Sequence, residues 1–133
     1  MRQILLSARD LRAFYGATRV LHGLDFDIAE GCVTTFLGAN GAGKTSTLRA
    51  LSGMIEITGE VRFRSQAVAG KATEELARLG IAHVPEGRGT FGRLTTEENL
   101  QLGAVARTDR AGIAADIARE ATLPDEREAR VMR

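Results

Sequence analysis

The stretch Gly38-Ala39-Asn40-Gly41-Ala42-Gly43-Lys44-Thr45-Ser46 limits what this chain can fold into more than any other. Its fixed positions fit the spacing G-x-x-x-x-G-K-[ST], in which a glycine loop leads from a strand into a helix. Three glycines within six positions let the backbone curl so that successive N–H groups point inward. The helix that follows adds the positive end of its dipole, and the resulting concavity suits a polyphosphate. Lys44 is placed to reach the outer phosphates as a point charge. The Thr45 hydroxyl is placed to serve as one ligand of a magnesium ion that keeps most of its waters. Ser46 is counted with the same cradle. The context agrees: Cys32 to Leu37 is a short apolar, β-branched run that reads as a buried strand. Leu48 and Leu51 repeat at helical spacing, and Gly53 is placed to end the helix in a left-handed cap. Composition sharpens the match, because the chain has two lysines, Lys44 and Lys71, against sixteen arginines, and one of them falls at the required position.

A length of 133 residues suits one domain with its own core. A net charge of +1 gives no broad attraction for nucleic acid or acidic membranes, so no nucleic-acid partner is expected. A single cysteine, Cys32, excludes an intrachain disulfide and fits a reducing compartment. No apolar run approaches the roughly 18 residues of a membrane span, and no signal-peptide block opens the chain. The expected location is the cytoplasm.

Along the chain, Ile4-Leu5-Leu6 opens a strand, and Asp10 to Gly16 reads as a polar turn carrying Phe14 and Tyr15. Tyr15 has two readings, a partly buried ring or a flat face on which a base stacks. Leu24 to Ile28 alternates strictly, which predicts a strand with Leu24, Phe26 and Ile28 inward and Asp25 and Asp27 toward solvent. Ile55 and Ile57, then Val61 and Phe63 after Gly59, read as a further antiparallel pair. A helix is expected from Thr73, with Leu76 and Leu79 inward and Gly80 closing it. Ile81 to Val84 reads as a strand, with His83 a sheet residue. Pro85 to Arg93, with three glycines, two arginines and Phe91, is either a plain surface loop or a mobile contact segment. Thr95 and Glu98 form a capping box for the next helix, and Ile113, Ala114, Ile117 and Ala121 suit a small amphipathic helix ending at Leu123-Pro124. Asp125 to Arg133 reads as a solvated, mixed-charge tail.

Taken together, Tyr15-Gly16, the Gly38 to Thr45 loop, Ile81 to Val84 followed by Pro85-Glu86-Gly87-Arg88, and Leu94-Thr95-Thr96-Glu97-Glu98-Asn99-Leu100 resemble the ATP-binding subunit of ABC transporters. Within that family the resemblance is strongest to the branched-chain amino acid importer group, and it runs to about Gly103. It implies an α/β, phosphate-loop NTPase core in which antiparallel strands accompany a parallel core sheet with helices. Residues 1–103 would be the N-terminal part of the nucleotide-binding domain, and 104–133 the start of a helical subdomain and a charged tail. The cofactors implied are ATP and magnesium, with Tyr15 stacking on adenine. Glu86 stands where most of the family has a glutamine that senses magnesium, water and the membrane subunit. The partners implied are integral membrane permease subunits, touching the Glu86 to Arg93 loop, and a second nucleotide-binding subunit. The location implied is peripheral, on the inner face of the cell membrane.

The family's Leu-Ser-Gly-Gly signature, its apolar strand ending in Asp-Glu and its later histidine have no counterpart here. Leu51-Ser52-Gly53-Met54 follows the phosphate-loop helix directly, and the histidines are His22 and His83. The chain therefore reads as the N-terminal part of such a subunit, incomplete at its C-terminus, with no catalytic residue to name. Binding without turnover is expected, since hydrolysis needs a water-orienting group besides the cradle. A marginal, aggregation-prone protein is also expected, because a parallel sheet without its neighbours leaves an open apolar edge. The alternatives are a non-catalytic nucleotide-binding module and, less favoured, a small-molecule kinase with Arg88 and Arg93 in a lid.

Overall fold

The protein is described from a computed structural model covering residues 2–87 and 89–121. The expectations for Arg88, for the helix end at Leu123-Pro124 and for the charged tail lie outside those residues. The chain divides into two compact units, Met1–His83 and Val84–Arg133.

In the first unit β1 (Ile4–Tyr15) and β2 (Thr18–Ala29) form an antiparallel hairpin across the two-residue turn Gly16-Ala17. β3 (Glu56–Phe63) pairs with the other edge of β1, and the short β4 (Gln66–Ala67) pairs with β3, giving the order β2-β1-β3-β4. Two helices, α1 (Lys44–Leu51) and α2 (Thr73–Leu79), follow the phosphate loop and the sheet respectively. Leu6, Ala8, Leu11 and Ala13 of β1 are buried with Leu21, Ala50, Leu51, Val61, Phe63, Val68 and Leu76, so strand and helix residues share one apolar core.

The inward residues of β1 do not keep a single period of two: Leu6 and Ala8 face the core, and then Leu11 and Ala13 do. An extra residue is inserted between Ala8 and Leu11, where the register with both neighbours shifts. Asp10 there adopts φ 47°, flanked by Gly23 of β2 at φ 102° and Gly59 of β3 at φ 98°. A Cβ at Gly59 would lie 2.3 Å from the Asp10 carbonyl oxygen and 2.7 Å from that of Arg9, and one at Gly23 would lie 2.7 Å from Asp10 Oδ1. The Asp10 N–H donates to Asp25 Oδ1 at 2.6 Å. A bulge on the central strand thus passes through all three long strands, and glycine on each neighbour leaves room for it.

α1 ends as the sequence reading expects. Ser52 caps it, Gly53 at φ 70° follows, and the N–H groups of Gly53 and Met54 donate to Ala50 and Arg49 carbonyls at 3.3 and 3.0 Å. This is the paired closure of a Schellman end. The Thr73 hydroxyl donates to the Gly53 carbonyl at 3.2 Å, tying α2 to the end of α1. Leu76 is buried, Leu79 packs partly against the core, and Gly80 closes the helix at φ 103°.

Four readings are corrected. Asp10 to Tyr15 belongs to β1 rather than to a turn, because Leu11 and Ala13 alternate into the core once the bulge is passed. Ile57 and Val61 lie on one strand, β3, not on two paired ones, because Gly59 serves the bulge and the chain reverses at Arg64-Ser65 instead. Leu24 is exposed, whereas Phe26 and Ile28 pack against the core and Asp25 and Asp27 are exposed as expected. Finally, neither Cys32–Leu37 nor Ile81–Val84 forms a strand, so His83 is not a sheet residue. No described strand lies alongside either segment to complete a ladder, and Val33, Leu37 and Val84 are 97%, 89% and 88% exposed. Phe36 is anchored edge-on to Phe26 with ring centroids 5.2 Å apart, and Ile81 packs partly against the core.

In the second unit a loop leads into α3 (Thr96–Gly103), and α4 (Arg110–Ala121) packs against α3. The expected capping box is present: the Thr95 N–H donates to Glu98 Oε2 at 2.7 Å and the Glu98 N–H to Thr95 Oγ1 at 3.2 Å. Ile113 and Ile117 are half-buried on α4. Arg107 between the helices grips Asp109 at 2.9 and 2.5 Å and reaches Asp116 of α4 at 2.6 Å, which holds both carboxyls below their usual range.

Two outcomes test these features. Gly16→Ala places a side chain at positive φ in open space and costs about 1–2 kcal/mol. Gly59→Ala meets rigid backbone as well and costs about 1–3 kcal/mol more, as measured by urea unfolding. The Thr95 backbone N–H, then the Thr95 hydroxyl, hold the Glu98 carboxyl below its usual range. Its folded value is depressed, so the cap's contribution is complete above the unfolded value and is lost as pH falls through the folded one. Acid titration followed by NMR shows α3 fraying in that window, and Glu98→Gln removes the dependence.

Candidate functional site

The phosphate loop is built from its glycines. Gly41 and Gly43 take φ 84° and 91°, and the Ala42 N–H donates to the Ala39 carbonyl at 3.1 Å, turning the chain tightly over Asn40. A Cβ on Gly38 would stand 2.9 Å from that of Ala42, so the loop closes on itself only with glycine there. A Cβ on Gly43 would stand 2.7 Å from Leu21 Cδ2, so the loop's last glycine rests directly on β2.

α1 starts at Lys44 with Gly43 as its N-cap, and no side chain caps it. Its first intrahelical bond runs from the Thr47 N–H to the Gly43 carbonyl at 2.8 Å. The N–H groups of Lys44, Thr45 and Ser46 therefore lie in the helix's first turn without an intrahelical acceptor. Thr47 itself is buried, its hydroxyl donating to the Gly43 carbonyl at 2.8 Å. Thr45 is exposed. The Lys44 ammonium folds back over the loop, donating to the Gly38 carbonyl and, at 3.1 Å, to the Ala39 carbonyl. This donor set fits a polyphosphate: amides and a helix N-terminus for its charge, with an ammonium at the mouth whose present acceptors are neutral carbonyls.

Tyr15 stands at the end of β1, 39% exposed, and its hydroxyl accepts from Arg49 Nη1 of α1 at 3.1 Å. The Ser46 side chain first, and Arg49 second, hold the phenol below its usual range. The structure thus brings two of the expected site residues, Tyr15 and Ser46, to the same helix face. Arg49 joins them, and the sequence reading missed it. Its only sequence signal is its place three residues beyond Ser46, one helical turn on.

Glu86 lies in the second unit, exposed in the loop that precedes α3. Phe91 in that loop is 62% exposed. Its backbone is pinned from both sides by Asn99 of α3, which accepts from the Phe91 N–H at 2.8 Å and donates to the Phe91 carbonyl at 3.1 Å. Asn99 is thus a second residue whose part the sequence reading did not assign. Among the described residues no group of three or more His, Cys, Asp or Glu side chains is placed to hold a metal. The Thr45 hydroxyl, exposed at the start of α1, is a hard oxygen donor of the kind a magnesium ion takes beside water and phosphate oxygens. Among the same residues no helix is long and apolar enough to cross a membrane.

Gly43→Ala forces a side chain into the left-handed region and onto Leu21. It is expected to cost about 1–3 kcal/mol of stability. A double-mutant cycle with Leu21→Ala, read by urea unfolding, shows the two changes to be non-additive.

The sequence pattern of ABC transporters matches residues 21–133. The high-affinity branched-chain amino acid transport ATP-binding protein BraG of Pseudomonas aeruginosa is 38% identical over 100 residues, covering 74% of this chain and 43% of the relative. The sn-glycerol-3-phosphate import ATP-binding protein UgpC of Cereibacter sphaeroides is 34% identical over 122 residues, covering 89% of this chain and 34% of the relative. The chain spans less than half the length of these relatives, and their names point to different solutes. The comparisons therefore reach the family without singling out the branched-chain group. A nucleotide-free ATP-binding cassette from an ABC transporter superposes with a TM-score of 0.70 at 23% identity, over 84% of this chain and 45% of that one, which supports the fold. A phosphate loop seated on an antiparallel hairpin, a family pattern over most of the sequence and a shared cassette fold agree: the chain belongs to the ABC transporter family, in its ATP-binding domain.

Proposed function

We propose that this chain binds ATP as the energy-coupling component of an ABC importer for branched-chain amino acids. The observation that carries the reading is the loop itself, left-handed at Gly41 and Gly43 and opening onto the uncapped N-terminus of α1 with Lys44 at its mouth. Bound ATP supplies an energy-rich triphosphate and, with it, a magnesium ion. The amides of 38–46 and the Lys44 ammonium hold the phosphates, Thr45 faces the metal, and the Tyr15 ring faces the base. The Glu86 to Arg93 loop, with Phe91 exposed, contacts integral membrane permease subunits, and a second nucleotide-binding subunit completes the assembly on the cytoplasmic side of the membrane. Support for the amino acid solute comes from the Pro85-Glu86-Gly87-Arg88 motif and from BraG among the relatives.

For this chain by itself the reading is binding without turnover. Among the described residues, the polar side chains of the loop and of the first turn of α1 are Asn40, Lys44, Thr45, Ser46 and Thr47, and none is a carboxylate or an imidazole able to orient attacking water. The test is equilibrium binding of a fluorescent ATP analogue with magnesium to the wild type and Lys44→Ala, with phosphate release followed in the same samples. Saturable wild-type binding, weakened at least about tenfold by Lys44→Ala, is expected, without phosphate release. Equal binding by both proteins, or none by the wild type, refutes the reading.

A further inference from the structure

We propose that Arg49 is a positioning residue for base recognition: from the last turn of α1 it holds the Tyr15 hydroxyl and so orients the ring on which the base rests. The inference depends on the nucleotide-binding reading above and adds to it a residue outside the phosphate-loop motif. Three observations carry it. The Arg49 Nη1 donates to the Tyr15 oxygen at 3.1 Å across 34 positions of sequence, so the contact joins two separate elements. Ser46 and Arg49 lie three positions apart on α1, about one turn, and both side chains hold the Tyr15 phenol below its usual range. Tyr15 keeps 39% of its surface open although its hydroxyl end is held, so the ring is fixed at its tip while remaining accessible.

A ring tethered in this way loses its rotational freedom before a ligand arrives. Ordering it then costs less on binding. The tether also starts from the helix whose N-terminus receives the phosphates, so base and triphosphate are presented by one rigid element. The ordinary role of an arginine in a helix's last turn is to favour the negative end of the dipole, and that role predicts a different result. Helix stabilisation affects every ligand of the loop alike, whereas ring positioning affects only ligands that carry a base.

The experiment compares dissociation constants for ATP and for inorganic tripolyphosphate, each with magnesium, in the wild type, Arg49→Leu, Arg49→Lys, Tyr15→Phe and the Arg49→Leu/Tyr15→Phe double variant. Arg49→Leu and Tyr15→Phe are each expected to weaken ATP binding roughly three- to tenfold while leaving tripolyphosphate unchanged. The double variant is expected to be no weaker than either single one, and Arg49→Lys to recover part of the loss. If Arg49→Leu weakens both ligands equally, changes neither, or adds independently to Tyr15→Phe, the positioning role is overturned while the nucleotide reading stands. If wild-type protein binds neither ligand, the nucleotide reading fails and this inference falls with it.

Discussion

The contact of Gly43 with Leu21 decides where the phosphate loop sits. The side of the loop that carries Gly43 lies against its own scaffold, and it must be thin enough to lie flat on the sheet. Glycine is the residue that allows both the φ of 91° and the approach to Leu21. Thr47 reinforces the arrangement from the helix side, buried and bonded to the Gly43 carbonyl, so the start of α1 is fixed between β2 and the core. Lys44 then has a defined root, and its ammonium returns over carbonyls that a phosphate oxygen can outcompete as an acceptor.

The parts of this arrangement that could be read in the sequence are those that depend on neighbours along the chain. The glycine spacing, the Gly53 and Gly80 helix ends, and the Thr95–Glu98 cap each satisfy local backbone groups with residues a few positions away. They appear as written. The length of β1 was hidden because its bulge breaks the alternation at Asp10 and its compensating glycines, Gly23 and Gly59, sit on other strands. Arg49 escaped for the same reason, since its partner Tyr15 is 34 positions away, and Asn99 escaped because its bonds to Phe91, eight positions back, close a loop that carries no periodic pattern.

Residues 32–37 and 81–84 show the opposite case, a strong local signal without the structure it announces. Val33, Leu37 and Val84 have the residue types of strands buried on both faces, but a ladder needs a second chain segment alongside. Antiparallel pairing is self-contained here, since β1 and β2 need only a two-residue turn. Parallel pairing depends on segments brought together from far apart in sequence. Within the sheet β1–β2 and β3–β4 are joined by short connections, β3 reaches β1 after residues 30–55, and the phosphate loop leans on β2.

The bulge at Asp10 has an effect five residues away. Counting in twos from Leu6 and Ala8 would bring Arg12 and Phe14 to the inner face of β1. The inserted residue changes the parity, so that Leu11, Ala13 and, two further on, Tyr15 are in step. One extra backbone unit thus puts Tyr15 in step with Leu11 and Ala13, and its phenol accepts from Arg49 of α1. The chemistry at the end of the strand is chosen by a miscount in its middle, held in place by two glycines on the neighbouring strands.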